Sequence, residues 1–114
     1  MKDKTVLTAL AALAQESRLA VFRLLVQAGP QGLAASRIAE ALDIAPSSLS
    51  FHLKELSHAG LLTARHEGRF IYYCADIGTM NGLIAFLTEN CCGGVPCDVA
   101  GDAACGPVCK PAAP

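Results

Sequence analysis

Two groups of side chains in this 114-residue chain could do chemistry. The first is a run of thiols, Cys91-Cys92-Gly93-Gly94-Val95-Pro96-Cys97, followed by Cys105-Gly106-Pro107-Val108-Cys109. Adjacent Cys91 and Cys92, with Cys97 returning after a Gly-Gly turn, can bring three sulfurs to one side of a single atom. Several thiols on a Gly/Pro-rich segment of a cytoplasmic chain point to soft-ion binding or redox chemistry more than to structural disulfides. Three thiolates without a neighbouring histidine favour a thiophilic centre. Trivalent arsenic or antimony, with three bonds and a lone pair, suits a pyramidal three-sulfur set. Zinc takes four ligands in a tetrahedron, which Cys105 or Cys109 could complete. The second group is Ser47, Ser48, Ser50, His52 and Lys54. Short hydroxyls, an imidazole and an ammonium suit phosphate oxygens and base edges.

A helix must present the second group, and residues 45–56 supply one. Pro46 suits a first helical position, because its missing N–H would be unbonded there in any case. Leu49, Leu53 and Leu56 follow at i, i+4 and i+7 and make one apolar face. Ser47, Ser48, Ser50, His52 and Lys54 are left on the other faces. A shorter helix over residues 34–42, with Ile38, Ala39 and Leu42 inward, leads into it through Asp43-Ile44-Ala45. Two short helices with a tight connection read as a helix-turn-helix. After Ala59-Gly60, where Gly60 can take a left-handed stop conformation, residues 61–66 and 69–74 read as two strands joined at Glu67-Gly68. Arg65, His66 and Arg69 flank the tip. A helix-turn-helix followed by a basic hairpin is a winged helix, so the expected fold is mainly α with one small β-hairpin.

Three further helices complete the expectation. Residues 5–14 place Val6, Leu10 and Leu13 on one stripe. A helix from Glu16 or Ser17 to Ala28 buries Leu19, Phe22, Leu25 and Val26 and stops at Gly29-Pro30. A last helix over residues 77–90 carries Ile77, Met80, Leu83, Ile84 and Leu87 at helical spacing. Hydrophobic residues make up 53% of the chain, yet no apolar stretch could span a bilayer, which takes about 18 residues or more. Met1-Lys2-Asp3-Lys4 does not open a signal peptide, so a cytoplasmic protein without a membrane partner is expected. The surplus apolar surface of the first and last helices predicts a homodimer built through them.

Net charge is −1, and residues 1–90 hold eight basic against eight acidic side chains. One copy should therefore bind DNA weakly, because affinity rests on phosphate neutralisation, and two copies on successive half-sites would compensate. Composition shifts at Cys91: residues 91–114 hold five of the six cysteines and four of the six prolines, with no aromatic. Such a segment cannot build a packed core. Two parts are expected, residues 1–90 for DNA binding and dimerisation and residues 91–114 as a Cys/Gly/Pro-rich tail for soft-ion binding or redox chemistry. Cys74, at a strand end beside Tyr73, reads as a buried apolar residue.

The runs Leu19 to Gly29, Ile38-Ala39-Glu40-Ala41-Leu42, Ser47-Ser48-Leu49-Ser50-Phe51-His52-Leu53-Lys54-Glu55-Leu56, Ala59-Gly60-Leu61-Leu62 and Glu67-Gly68-Arg69-Phe70-Ile71-Tyr72-Tyr73 closely resemble the ArsR/SmtB family of metal-responsive repressors. The likeness covers about residues 5–90. It implies a homodimeric winged-helix protein that binds operator double-stranded DNA and releases it when a metal or metalloid binds. Ser47, Ser48, Ser50, His52 and Lys54 would then lie near base edges or phosphates, with Arg65 and Arg69 on the flanking backbone. Family members graft inducer sites at different places on one fold. Where some arsenical repressors carry a Cys-x-Cys-x-x-Cys box, this chain has Ala34, Ser36 and Ala39. Where the zinc sensors carry Asp and His pairs, it keeps Asp76 but has Gly78, Glu89 and Cys92.

What remains resembles the arsenical repressors whose three sulfur ligands follow the last helix, which implies Cys91, Cys92 and Cys97 as ligands and arsenite, As(III), or Sb(III) as inducer. Two other readings share the fold: a thiol-redox or persulfide sensor, and a zinc- or cadmium-responsive repressor. A cysteine-dependent enzyme is not expected, since no anion loop, helix-start Cys-x-x-Cys or general acid accompanies a thiol.

Overall fold

The computed structural model describes residues 2–89, and the expected ligands Cys91, Cys92 and Cys97 lie outside them. In chain order the elements are α1 (Asp3–Leu13), α2 (Glu16–Ala28), a 3-10 turn (Gly29–Gln31), β1 (Leu33–Ala34), α3 (Ala35–Leu42), α4 (Pro46–His58), β2 (Leu62–Glu67), β3 (Phe70–Ala75) and α5 (Ile77–Leu87). The chain divides into a compact unit, Met1–Leu83, and a second unit that begins at Ile84. In the second, Thr88 Oγ1 donates to the Ile84 carbonyl at 2.8 Å, over the last turn of α5.

Each helix boundary has a local cause. Gln15 caps α2, its side chain accepting the Arg18 N–H at 2.9 Å. Asp43 ends α3 in the left-handed region, with φ of 54°, a conformation that short polar side chains tolerate. Pro46 opens α4 as expected, after Ala45 in an extended conformation, and Gly60 takes the expected left-handed stop, with φ of 80°.

The core lies where α2 packs against α1, α3, α4 and β3. Val21, Phe22 and Leu25 of α2 meet Ile38 of α3 and the Leu49, Leu53 and Leu56 face of α4, with Leu61 and Leu62 closing the base of the wing. All of these are buried, and no described polar or charged residue is.

The sheet differs from the expected hairpin. It has three antiparallel strands in the order β1-β3-β2. The added strand, β1, is only two residues long and pairs Leu33 with Tyr73 and Ala34 with Tyr72. Glu67 pairs directly with Phe70, so the turn residues are Gly68-Arg69 rather than Glu67-Gly68. Gly68, with φ of 61°, holds the first turn position, where a type II′ hairpin needs glycine.

Two helix faces also differ. The buried face of α1 is Val6, Ala9 and Ala12, while Leu7 and Leu10 are exposed. Small alanines let α1 approach α2 and α4 closely and turn the leucines outward. In α2, Val21 takes the buried place expected for Leu19 and Val26, which are exposed. The helix has neighbours on several sides, so a simple stripe mis-phases it. In α5, which ends at Leu87 rather than near Asn90, only Leu83 is buried. Cys74 is half-buried, its Sγ lying 3.4 Å from the Pro30 carbonyl.

Gly32 is where the loop after α2 passes closest to the sheet. With φ of 72°, it lies so near β3 that a Cβ would stand 2.5 Å from the Tyr73 carbonyl oxygen and 2.7 Å from Cys74 Sγ. Gly29 has a similar backbone, with φ of 79°, but open space around it. Gly29→Ala should therefore cost about 1–3 kcal/mol from the backbone alone. Gly32→Ala should cost at least about 1 kcal/mol more from steric overlap, as read from urea unfolding midpoints.

Candidate nucleic-acid interface

The phase of α4 follows from its leucines. With Leu49, Leu53 and Leu56 buried, a helix advancing by about 100° per residue turns Ser47, Phe51 and Lys54 directly away from the core. Ser48 and Ser50 flank this stripe, and all five side chains are exposed. Phe51 is 54% exposed, an apolar ring among hydroxyls and an ammonium. His52 sits at the side of the helix and is half-buried, rather than on the outer face as the sequence suggests.

His52 faces α2. Arg18 Nε donates to His52 Nδ1 at 3.4 Å, the long end of hydrogen bonding. An accepting Nδ1 leaves the proton of the neutral ring on Nε2, so this side chain has a donor to offer. The Arg18 guanidinium also lies over the Phe51 ring, 5.7 Å from its centroid, within the range of a cation–π contact. Phe51 and His52 meet edge to face at 5.9 Å. The Gln15 cap accepts the Arg18 backbone N–H and so fixes where α2 begins.

On the wing the two arginines have different positions. Arg65 is exposed but engaged on several sides: Nε and Nη2 reach Glu67 Oε2 at 3.1 and 3.0 Å, and Nη2 and Nη1 donate to the Gln31 and Pro30 carbonyls at 3.1 and 3.4 Å. Its guanidinium also covers the Tyr72 ring at 5.2 Å. This side chain ties β2 to the loop after α2. Arg69, in the turn itself, is exposed and makes no ion pair among the described residues. His66 and Phe70 are exposed beside it.

Asp76 alone separates β3 from α5. Its N–H donates to the Leu61 carbonyl at 2.8 Å, and its Oδ1 accepts the Thr79 N–H at 3.0 Å, capping α5. Among the described residues no three His, Cys, Asp or Glu side chains come together as a metal site, and no helix is long and apolar enough to cross a membrane.

Phe51, Arg18 and Phe70 are not among the side chains that the sequence alone singles out. Phe51 carried a signal, being i+4 from Ser47 and opposite the leucine face. Arg18 carried none, because it meets His52 across 34 residues of chain.

Comparison with known proteins agrees with this geometry. A helix-turn-helix domain family matches residues 13–65. The chain is 35% identical over 81 residues to the arsenical resistance operon repressor of Bacillus subtilis (strain 168), covering 71% of this chain and 73% of that protein. Its structure is similar to an ArsR-like transcriptional regulator from Rhodococcus sp. RHA1, with a TM-score of 0.68 and 27% identity over 75% of this chain and 78% of that one. It is also similar to a homodimeric winged helix-turn-helix DNA-binding domain from Mycobacterium bovis, with a TM-score of 0.61 and 28% identity over 79% of this chain and 89% of that one. These relatives are transcriptional regulators, in line with the expectation that the chain is not an enzyme.

The contrast between the arginines is measurable without DNA. Arg65→Lys keeps the charge but loses the fork, and should destabilise the fold by about 0.5–1.5 kcal/mol. Arg69→Ala should stay within about 0.5 kcal/mol of wild type, both by urea unfolding.

Proposed function

The chain belongs to the ArsR family of winged-helix transcriptional regulators, and from that premise we propose that it is a cytoplasmic, homodimeric repressor of operator DNA, released by trivalent arsenic or antimony. The observation that carries the DNA half is the exposed stripe of α4, which sets Ser47, Ser48, Ser50 and Lys54 outward. His52 Nε2 and Arg69 at the wing tip extend it. In this reading α4 enters the major groove, the hydroxyls and His52 meet base edges or phosphates, and Arg69 meets the flanking backbone. Arg65 holds the wing in shape and reaches DNA only with the exposed part of its guanidinium.

Dimerisation is supported by apolar side chains left uncovered on two helices. Leu7 of α1 is 66% exposed and Leu87 of α5 is 58% exposed, and Leu10 and Ile77 are exposed as well. A second copy would cover such surface and double the basic groups on a nearly neutral chain.

The inducer half rests on thiol chemistry. Trivalent arsenic bonded to Cys91, Cys92 and Cys97 would satisfy its three valences, and the Bacillus subtilis relative is an arsenical resistance operon repressor. In this division residues 1–90 bind DNA and residues 91–114 carry the inducer site. In this reading a change imposed on α5 reaches the wing through Asp76, whose N–H holds the Leu61 carbonyl and whose carboxylate caps α5. A bound ion releases DNA only if it favours the state that does not bind DNA. Coupling of about 1–3 kcal/mol, roughly 5- to 150-fold, is typical.

Fluorescence anisotropy with operator DNA under reducing conditions tests this reading. Arsenite should weaken wild-type binding, whereas zinc should not. The Cys91→Ser/Cys92→Ser protein should bind as tightly as wild type and ignore arsenite. Release by peroxide or polysulfide, with no response to arsenite, would replace the metalloid with thiol oxidation. Arg69→Ala should lower affinity for all sequences and reduce the salt slope by about one.

A further inference from the structure

We propose that Phe51 reads a thymine through its C5-methyl group, and that Arg18 is the positioning residue that holds the ring for the purpose. The inference rests on the DNA-binding reading above and adds a base preference to it.

Phe51 is the one apolar side chain on the outer stripe of α4, between Ser47 one turn before and Lys54 one turn after. It is more than half exposed, at 54%. The thymine C5-methyl is the one alkyl group that base edges present in the major groove, where cytosine has only a C–H. A phenyl ring carried into that groove gains most apolar contact at a thymine. The same ring is poorly matched to a protein partner. A stable protein interface takes about 800 Å² from each side, whereas Phe51 is hemmed in by Ser47, Ser48, Ser50 and Lys54, all exposed.

The ring is also held in place. Arg18 lies over its face at 5.7 Å, and its guanidinium is tied to the same helix by the Nε bond to His52 Nδ1. A side chain ordered before binding loses less freedom on binding. Arg18 thus sets two properties of the reading surface: the orientation of Phe51 and the Nε2–H form of His52.

The test uses the full-length reduced protein and a duplex recovered by selection from random DNA. Each dT is replaced in turn by dU, which removes the methyl group and leaves pairing intact. Wild type should lose about fourfold in affinity at one position per half-site, the worth of one buried methyl group. Phe51→Ala should bind more weakly and be indifferent to dU at that position, while Phe51→Leu should keep part of the discrimination. Arg18→Ala should lower the dU penalty, and the nitrogen chemical shifts of His52 should show both neutral ring forms in place of one. Thermal unfolding of the variants checks that they are folded. Wild-type binding indifferent to every dU, or an undiminished penalty in Phe51→Ala, would overturn the thymine reading and leave the repressor reading intact. If Phe51→Ala turns a dimeric protein monomeric, the ring belongs to a protein interface and the inference fails. If no duplex is recovered, both readings fall.

Discussion

The structure depends on the burial of three leucines. Leu49, Leu53 and Leu56 must leave water together, and they do so against a layer that includes Leu25 of α2 and Ile38 of α3. Burying side chains of this size is worth about 1.5–3 kcal/mol each, far more than any preference of the outer residues. The leucines therefore fix the rotation of α4 about its axis, and every outward side chain takes its direction from them. Ser47, Phe51 and Lys54 are reading candidates because they lie opposite that face.

Much of the fold is legible in the sequence, because its causes are local. Pro46, the leucine spacing and Gly60 each act within a few residues, and they mark the helix-turn-helix and the start of the wing. β1 escapes such reading because two residues carry no period. It exists only because Gly32 lets the chain lie against Tyr73 and Cys74. The inner face of α1 escapes for another reason: Ala9 and Ala12 are buried by closeness of approach rather than by size, while the larger Leu7 and Leu10 face outward. Arg18 belongs to a third kind, since contacts across 34 residues leave no mark in either local sequence. The sequence names the thiols as chemistry, and they lie beyond the described residues, so their role rests on sulfur valence and on kinship.

Near-neutral charge shapes how such a protein can discriminate. A strongly basic reader binds any duplex well, whereas this chain, at −1 overall, has little non-specific attraction to spare. Arg65 narrows it further, because its guanidinium holds Glu67 and the Pro30 and Gln31 carbonyls. On the proposed reading, recognition would lean on shape, on a few hydrogen bonds and on apolar contact with bases.

The junction at Asp76 has a consequence for how this chain could diverge. One residue joins the last strand to the last helix, and both its N–H and its carboxylate are engaged. Inserting or deleting a single residue there would break one or both of these bonds and change the direction in which α5 leaves the sheet. The joint between wing and α5 is therefore fixed in length by the two bonds it must make.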